Sequence, residues 1–179
     1  MEVWHHCACT RQVRLETIIY TPQERETLVQ EVFPKLTRLL SASQEELRES
    51  AAKEEYALHL PTLIEAYLVT PVHLQSTYFL TLAYKDQQEQ SIGLAGRILK
   101  GELATHGFVY VHPKARNQGI GLLLITTQFA HAKRRGARYA RYLPYTQASR
   151  AIFEKLKETY PFSQGLFDLT RKEEEGDTR

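Results

Sequence analysis

Hydrophobic positions change period several times along the chain. From Val13 to Tyr20 they alternate imperfectly with polar residues, the pattern of a strand. Thr21-Pro22-Gln23-Glu24 then reads as a capping box with proline at the first helical position. Leu28, Val29, Val32, Phe33, Leu36, Leu39 and Leu40 follow at helical spacing. Pro34 lacks an amide donor and is expected to kink or split this helix. Ser43-Gln44-Glu45-Glu46 is a second capping box and predicts a separate polar helix to about Lys53. Another helical turn or two is predicted between Pro61 and Leu68.

Beyond this region the pattern becomes β-like. Thr77 to Tyr84 is rich in aromatic and β-favouring residues, Ser91 to Leu99 reads as a second strand with Gly93 and Gly96 inside it, and Ala104 to Val111 as a third. Lys85 to Gln90 and Lys100-Gly101 are the turns between them, so the three segments read as an antiparallel meander. A helix is predicted from Gly121 to about Arg135, closed by Gly136. Ala137 to Leu143 is the next strand. Gln147 to Thr159 is a helix with Ala148, Ala151, Ile152 and Leu156 facing inward, and Ser163 to Thr170 a last strand. No repeat or linker divides the 179 residues, which predicts one domain with an N-terminal extension over residues 1–12 and a disordered tail over 171–179.

Composition narrows the function classes. With 42% hydrophobic and 25% charged residues the chain reads as globular. Its net charge of +2 provides no general attraction to nucleic acid. No apolar run approaches the roughly 20 residues of a membrane span, so neither a nucleic-acid nor a membrane partner is expected. The N-terminus lacks the basic and then apolar regions of a signal peptide, and a cytoplasmic, reducing location is expected. His5-His6-Cys7-Ala8-Cys9 carries ligand types that suit zinc or copper. Its C-x-C spacing has no second half-site, so free thiols at a chain end are the preferred reading and no metal site is assigned. Lys133-Arg134-Arg135 and Arg138 fall at a helix C-terminus, where cations complement the dipole.

The chemistry concentrates in the run from Val111 to Ile125. An apolar strand, Gly107 to Val111, stops at Pro113, and a short basic loop with two glycines leads directly into a helix. The first amides of a helix have no internal partner and carry partial positive charge, so this corner suits an anion. Neither G-x-x-x-x-G-K-[ST] nor G-x-G-x-x-G is present. What is present is Arg116-x-x-Gly119-x-Gly121, between a V-x-P strand end and a Leu-rich helix.

That arrangement resembles motif A of the GNAT superfamily of N-acetyltransferases, with the likeness covering about residues 13–165. The resemblance implies an α/β (α+β) fold with a mixed, mostly antiparallel central sheet flanked by helices, its strands splayed beside motif A. It implies acetyl-coenzyme A as co-substrate and a primary amine, of a small molecule or a protein, as acceptor. Val109, Tyr110 and Val111 would pair with the pantetheine. The amides of Asn117, Gln118, Gly119, Ile120, Gly121 and Leu122 would hold the pyrophosphate, with Arg116 adding charge. The acceptor would enter over residues 22–70, as a monomer or a homodimer presents them.

The last helix departs from the family pattern. Thr146 stands where an asparagine often holds pantetheine, and Phe153 stands where a tyrosine often protonates the thiolate. Around the usual positions of the acidic base lie Thr105, His106, Gly107 and Arg141. Three readings stay open. His106, with an ordinary pKa near neutrality, and Tyr145 supply displaced proton groups; water and an already neutral amine suffice; or the chain binds acyl-coenzyme A without turnover, as a sensor.

Overall fold

The computed structural model describes residues 1–8, 13–52, 60–64, 76–85 and 88–170. Among them runs one eight-stranded sheet in the order β1-β2-β3-β4-β5-β6-β8-β7. The strands are β1 (Glu2–Ala8), β2 (Val13–Tyr20), β3 (Thr77–Lys85), β4 (Gly93–Lys100), β5 (Leu103–Val111), β6 (Tyr139–Ala140), β7 (Phe162–Ser163) and β8 (Leu166–Asp168). Every pairing is antiparallel except that of β5 with β6. This is the mixed, mostly antiparallel sheet that the motif pattern implied.

Helices cover both faces. On one face α1 (Arg25–Ala52) and α2 (Leu60–Ile64) contribute Leu28, Val32, Leu36, Leu39, Leu60 and Ile64 to a core with Tyr20, Tyr78, Leu80 and Tyr110. On the other, α3 (Ile120–Arg134) and α4 (Gln147–Thr159) pack Leu124, Ile125, Phe129 and Leu156 against Phe79, Ala95, Leu99 and Phe167. The strict alternation of side chains in a strand is what lets one sheet serve two cores.

Four elements differ from the sequence reading. Within the N-terminal extension Glu2–Ala8 forms an edge strand, β1, whose register runs from Glu2 opposite Ile19 to Ala8 opposite Val13. Helix α1 continues through Pro34 and through Ser43. Ser43 caps no helix of its own: it is buried, and its hydroxyl accepts from the Leu60 amide at 3.3 Å, where α2 begins. The expected last strand is a tight hairpin, with Gln164 and Gly165 both at positive φ (52° and 78°) between β7 and β8. Such mirror-image turns match the twist of the strands they join. Strand β6 keeps only two paired residues, Tyr139 with Leu103 and Ala140 with Ala104. The tail over residues 171–179, Cys9 and the side chains of His6 and Cys7 lie outside the described residues.

Candidate active site

The short pairing of β5 with β6 opens the sheet. One further backbone bond, from the Arg141 amide to the Ala104 carbonyl, closes the junction at 2.8 Å. Beyond it β5 continues to Val111 on β4 alone, with Val109 opposite Ala95 and Val111 opposite Gly93. The edge of β5 from Gly107 to Val111 therefore faces a gap that a linear polar chain can enter by adding itself as a strand. The β4–β5 register slips between Gly96 and Ile98, a bulge that increases local twist beside this gap.

The chain turns sharply at the wide end of the gap. A 3-10 turn, Pro113–Ala115, is capped by His112, whose Nδ1 accepts from the Lys114 amide at 3.3 Å. Asn117 has φ 60°, and Gly119 has φ 74° as the N-cap of α3. These left-handed residues turn the loop so that Ile120, Gly121 and Leu122 begin α3 at once. Helix α3 has no side-chain cap, and its first amides form the anion-suited corner read from the sequence. Gly121 serves packing as well: a Cβ there would stand 2.8 Å from Ile152 Cδ1 on α4. Gln118 donates from its side chain to the Lys114 carbonyl at 3.5 Å, bracing the loop internally.

Arg116 does not simply project into the loop. Its Nη1 and Nη2 meet the Glu46 carboxylate of α1 at 2.6 and 2.8 Å, and its Nε donates to the Val111 carbonyl at 3.0 Å. The Tyr110 hydroxyl donates to the same carboxylate at 2.6 Å. Burial and the bond to Glu46 hold the Tyr110 hydroxyl well above its usual pKa. Burial, followed by the charges of Arg38, Lys114 and Arg116, lowers that of His112. In the sequence Glu46 lies within the capping box that predicts a polar helix. Seventy residues separate it from Arg116, so no local pattern could reveal the pair.

Arg97 is the second residue that sequence reading missed. It lies on β4 with 0% exposure. Its guanidinium sits over the Phe129 ring at 4.8 Å, and its Nη1 donates to the Arg141 carbonyl at 2.7 Å. Gly107 makes room for it, since a Cβ there would stand 2.5 Å from Nη2. A lone arginine within Leu94-Ala95-Gly96-Arg97-Ile98-Leu99, followed by a glycine on the next strand, is the sequence signal that could have pointed to it.

The remaining candidates are dispersed. His106 lies on β5, and its side chain lies outside the described residues. Tyr145 is 71% exposed before α4. Thr146 is the N-cap of α4, its hydroxyl accepting from the Ser149 amide at 3.1 Å. Phe153 belongs to an aromatic cluster, edge-on to Phe162 at 5.0 Å and to Phe167 at 5.4 Å. Among the described residues no group of three or more histidine, cysteine, aspartate or glutamate side chains could hold a metal, and no helix is long and apolar enough to cross a membrane.

Comparison with known proteins bears on this geometry. Residues 76–156 match the acetyltransferase (GNAT) domain family. No curated protein matches the chain. A nourseothricin acetyltransferase structure is similar at 25% identity over 35% of this chain and 38% of that one, with a TM-score of 0.33. An aminoglycoside acetyltransferase from an uncultured soil metagenomic sample, in complex with trehalose, is similar at 12% identity over 84% and 90% of the two chains, with a TM-score of 0.43. The ribosomal-protein-S18-alanine N-acetyltransferase from Escherichia coli is similar at 15% identity over 85% and 88%, with a TM-score of 0.48.

Proposed function

We propose, from the premise that the chain belongs to the GNAT superfamily through residues 76–156, that it transfers an acetyl group from acetyl-coenzyme A to a primary amine. The observation that carries this reading is the parting of β5 from β6 beside the left-handed loop at the start of α3. Pantetheine carries amides that suit a strand edge, and Val109 to Val111 offer one. A pyrophosphate suits the amides from Asn117 to Leu122. Acetyl-coenzyme A supplies an activated acyl group with a thiol as leaving group.

The protein's own share is placement and charge. An amide on the β5 edge near Val111 would donate to a developing oxyanion. His106 and Tyr145 are the candidate proton groups, and a neutral amine acceptor needs no base. The acceptor, a small-molecule or protein amine, would approach from the face covered by α1 and α2. Coenzyme A binding by calorimetry, followed by coenzyme A release against an amine panel, tests the proposal. Absence of binding would refute it.

One observation favours a second reading. Phe153 packs its ring edge-on to Phe162 and Phe167, so helix α4 supplies no hydroxyl at this position. Binding without release above the hydrolysis background, across the whole panel, would identify an acyl-coenzyme A sensor rather than an enzyme.

A further inference from the structure

We infer that Arg97 is the group that holds the negative charge of the departing coenzyme A thiolate. The inference rests on the reading above, in which acetyl-coenzyme A occupies the gap between β5 and β6. In a regular parallel ladder the Arg141 carbonyl would accept a bond from β5. Here the Arg97 guanidinium takes that carbonyl, at 2.7 Å, one residue beyond the last β5–β6 pair. The cation thus stands at the apex where the strands part. It reaches the apex by passing over Gly107, whose lack of a Cβ leaves room for it: a methyl group would approach Nη2 to 2.5 Å and Cζ to 2.8 Å.

Position and burial suit the role. A thioester carried on an extended arm along β5 from the α3 loop would lie toward the apex. Arg97 has 0% exposure, so it acts on the sulfur as a buried charge through the wall of the gap rather than by contact, where water screens it little. Guanidinium keeps its proton under all ordinary conditions, so it offers charge rather than a proton. That fits a chain with Phe153 where a hydroxyl would otherwise protonate the sulfur. In the step, the amine lone pair forms the carbon–nitrogen bond and the carbon–sulfur bond breaks with its electron pair going to sulfur. The amine proton passes to solvent, and the thiolate takes a proton from water on release.

The described groups that face Arg97 include the Phe129 ring on α3, the Gly107 backbone on β5, and the Arg141 carbonyl and Tyr142 just after β6. Tyr142 is the titratable one. Burial pushes its hydroxyl up to about 12, with the Arg97 charge opposing the rise, so it stays neutral over the range that matters. The His106 side chain, on β5, lies outside the described residues.

The test reads the bound thiol directly and needs no acceptor. Coenzyme A is bound to the full chain, and its thiolate is followed by ultraviolet absorbance as pH rises. The thiol is expected to titrate about one to three units below a free thiol near about 8.5, the usual effect of a close opposite charge. Arg97→Met should abolish the shift and Arg97→Lys keep part of it. Should Arg97→Met fail to fold, wild-type protein carries the test: it should prefer coenzyme A over desulfo-coenzyme A at least about fivefold more at pH 9 than at pH 6. Coenzyme A bound with its thiol at or above the free value would overturn this inference and leave the proposed function standing. No binding of either compound would overturn both.

Discussion

Replacing Glu46 with glutamine separates two jobs of its carboxylate. It anchors α1 to the loop, and it occupies Arg116, the arginine whose charge the family resemblance would bring to the pyrophosphate. The ion pair with Arg116 has two contacts, at 2.6 and 2.8 Å, but its side chains are 26% and 41% exposed. Solvent screening limits such a pair to about 1 kcal/mol or less. The Tyr110 hydroxyl bond at 2.6 Å is better sheltered, Tyr110 being 5% exposed. Glutamine can still accept it, so only the charge-assisted part is lost, about 0.5–1 kcal/mol. The two losses total about 0.5–2 kcal/mol, which lowers the melting temperature of a chain this size by roughly 1–8 °C. Coenzyme A affinity should move the other way. Arg116 no longer has to leave a carboxylate, and recovery of about 1 kcal/mol tightens binding about fivefold. Calorimetric titration at low and high salt, together with a thermal melt, reads both effects. The gain should shrink at high salt and vanish in Glu46→Gln/Arg116→Gln, where the coupling is gone. Weaker binding by the single variant, at unchanged affinity of Arg116→Gln, would refute the reasoning and make Glu46 a plain structural anchor.

Three further outcomes are expected. Gly119→Ala should cost about 1 kcal/mol of stability because φ 74° strains any residue with a Cβ, and it should weaken coenzyme A binding more than tenfold; unchanged affinity in calorimetry would count against the loop as the anion site. Gly107→Ala should destabilise by about 1–3 kcal/mol, since its methyl group meets the Arg97 guanidinium, whereas Gly101→Ala, with nothing within 4 Å, should lose only the strain of its positive φ; equal denaturant midpoints for the two variants would show that the guanidinium is not held there. The Tyr142 hydroxyl is pushed up to about 12 from the usual 10.0, so the unfolded chain releases that proton first. Its contribution is fully present below about pH 10 and is lost as pH rises toward 12. Tyr142→Phe should therefore flatten part of the alkaline fall in stability and, because the buried hydroxyl has no hydrogen-bond partner among the described residues, be neutral or stabilising near pH 7; a parallel alkaline curve would contradict this.

Where a structural feature depends on neighbours in the chain, it was legible. The strands over Thr77 to Val111, the start of α3 beside Gly119, the turn after it at Gly136 and the span of α4 all follow from period, capping residues and glycine placement. Local rules failed where packing outweighed them. Ser43 has the side chain of a helix cap, yet burial directed its hydroxyl to the Leu60 amide and α1 ran on. Pro34 lies inside the same helix, and its carbonyl accepts from the Gln90 side chain at 2.9 Å. Strand β1 carries no alternation that marks it as a strand, but an antiparallel partner at β2 suffices to order it.

By itself the sequence determined how the chain turns at this corner. Arg116, Gly119 and Gly121, between a strand end and an aliphatic helix, dictate a left-handed turn into free helical amides, because glycine conformation and helix polarity are properties of the local chain. The tertiary structure alone decided what surrounds that corner. It parted β5 from β6, carried Arg97 to the apex and set Glu46 against Arg116. Each of these depends on side chains brought together from separate elements by two cores packing on opposite faces of one sheet, and residues 44 and 70 positions apart leave no trace of their meeting in the chain between them.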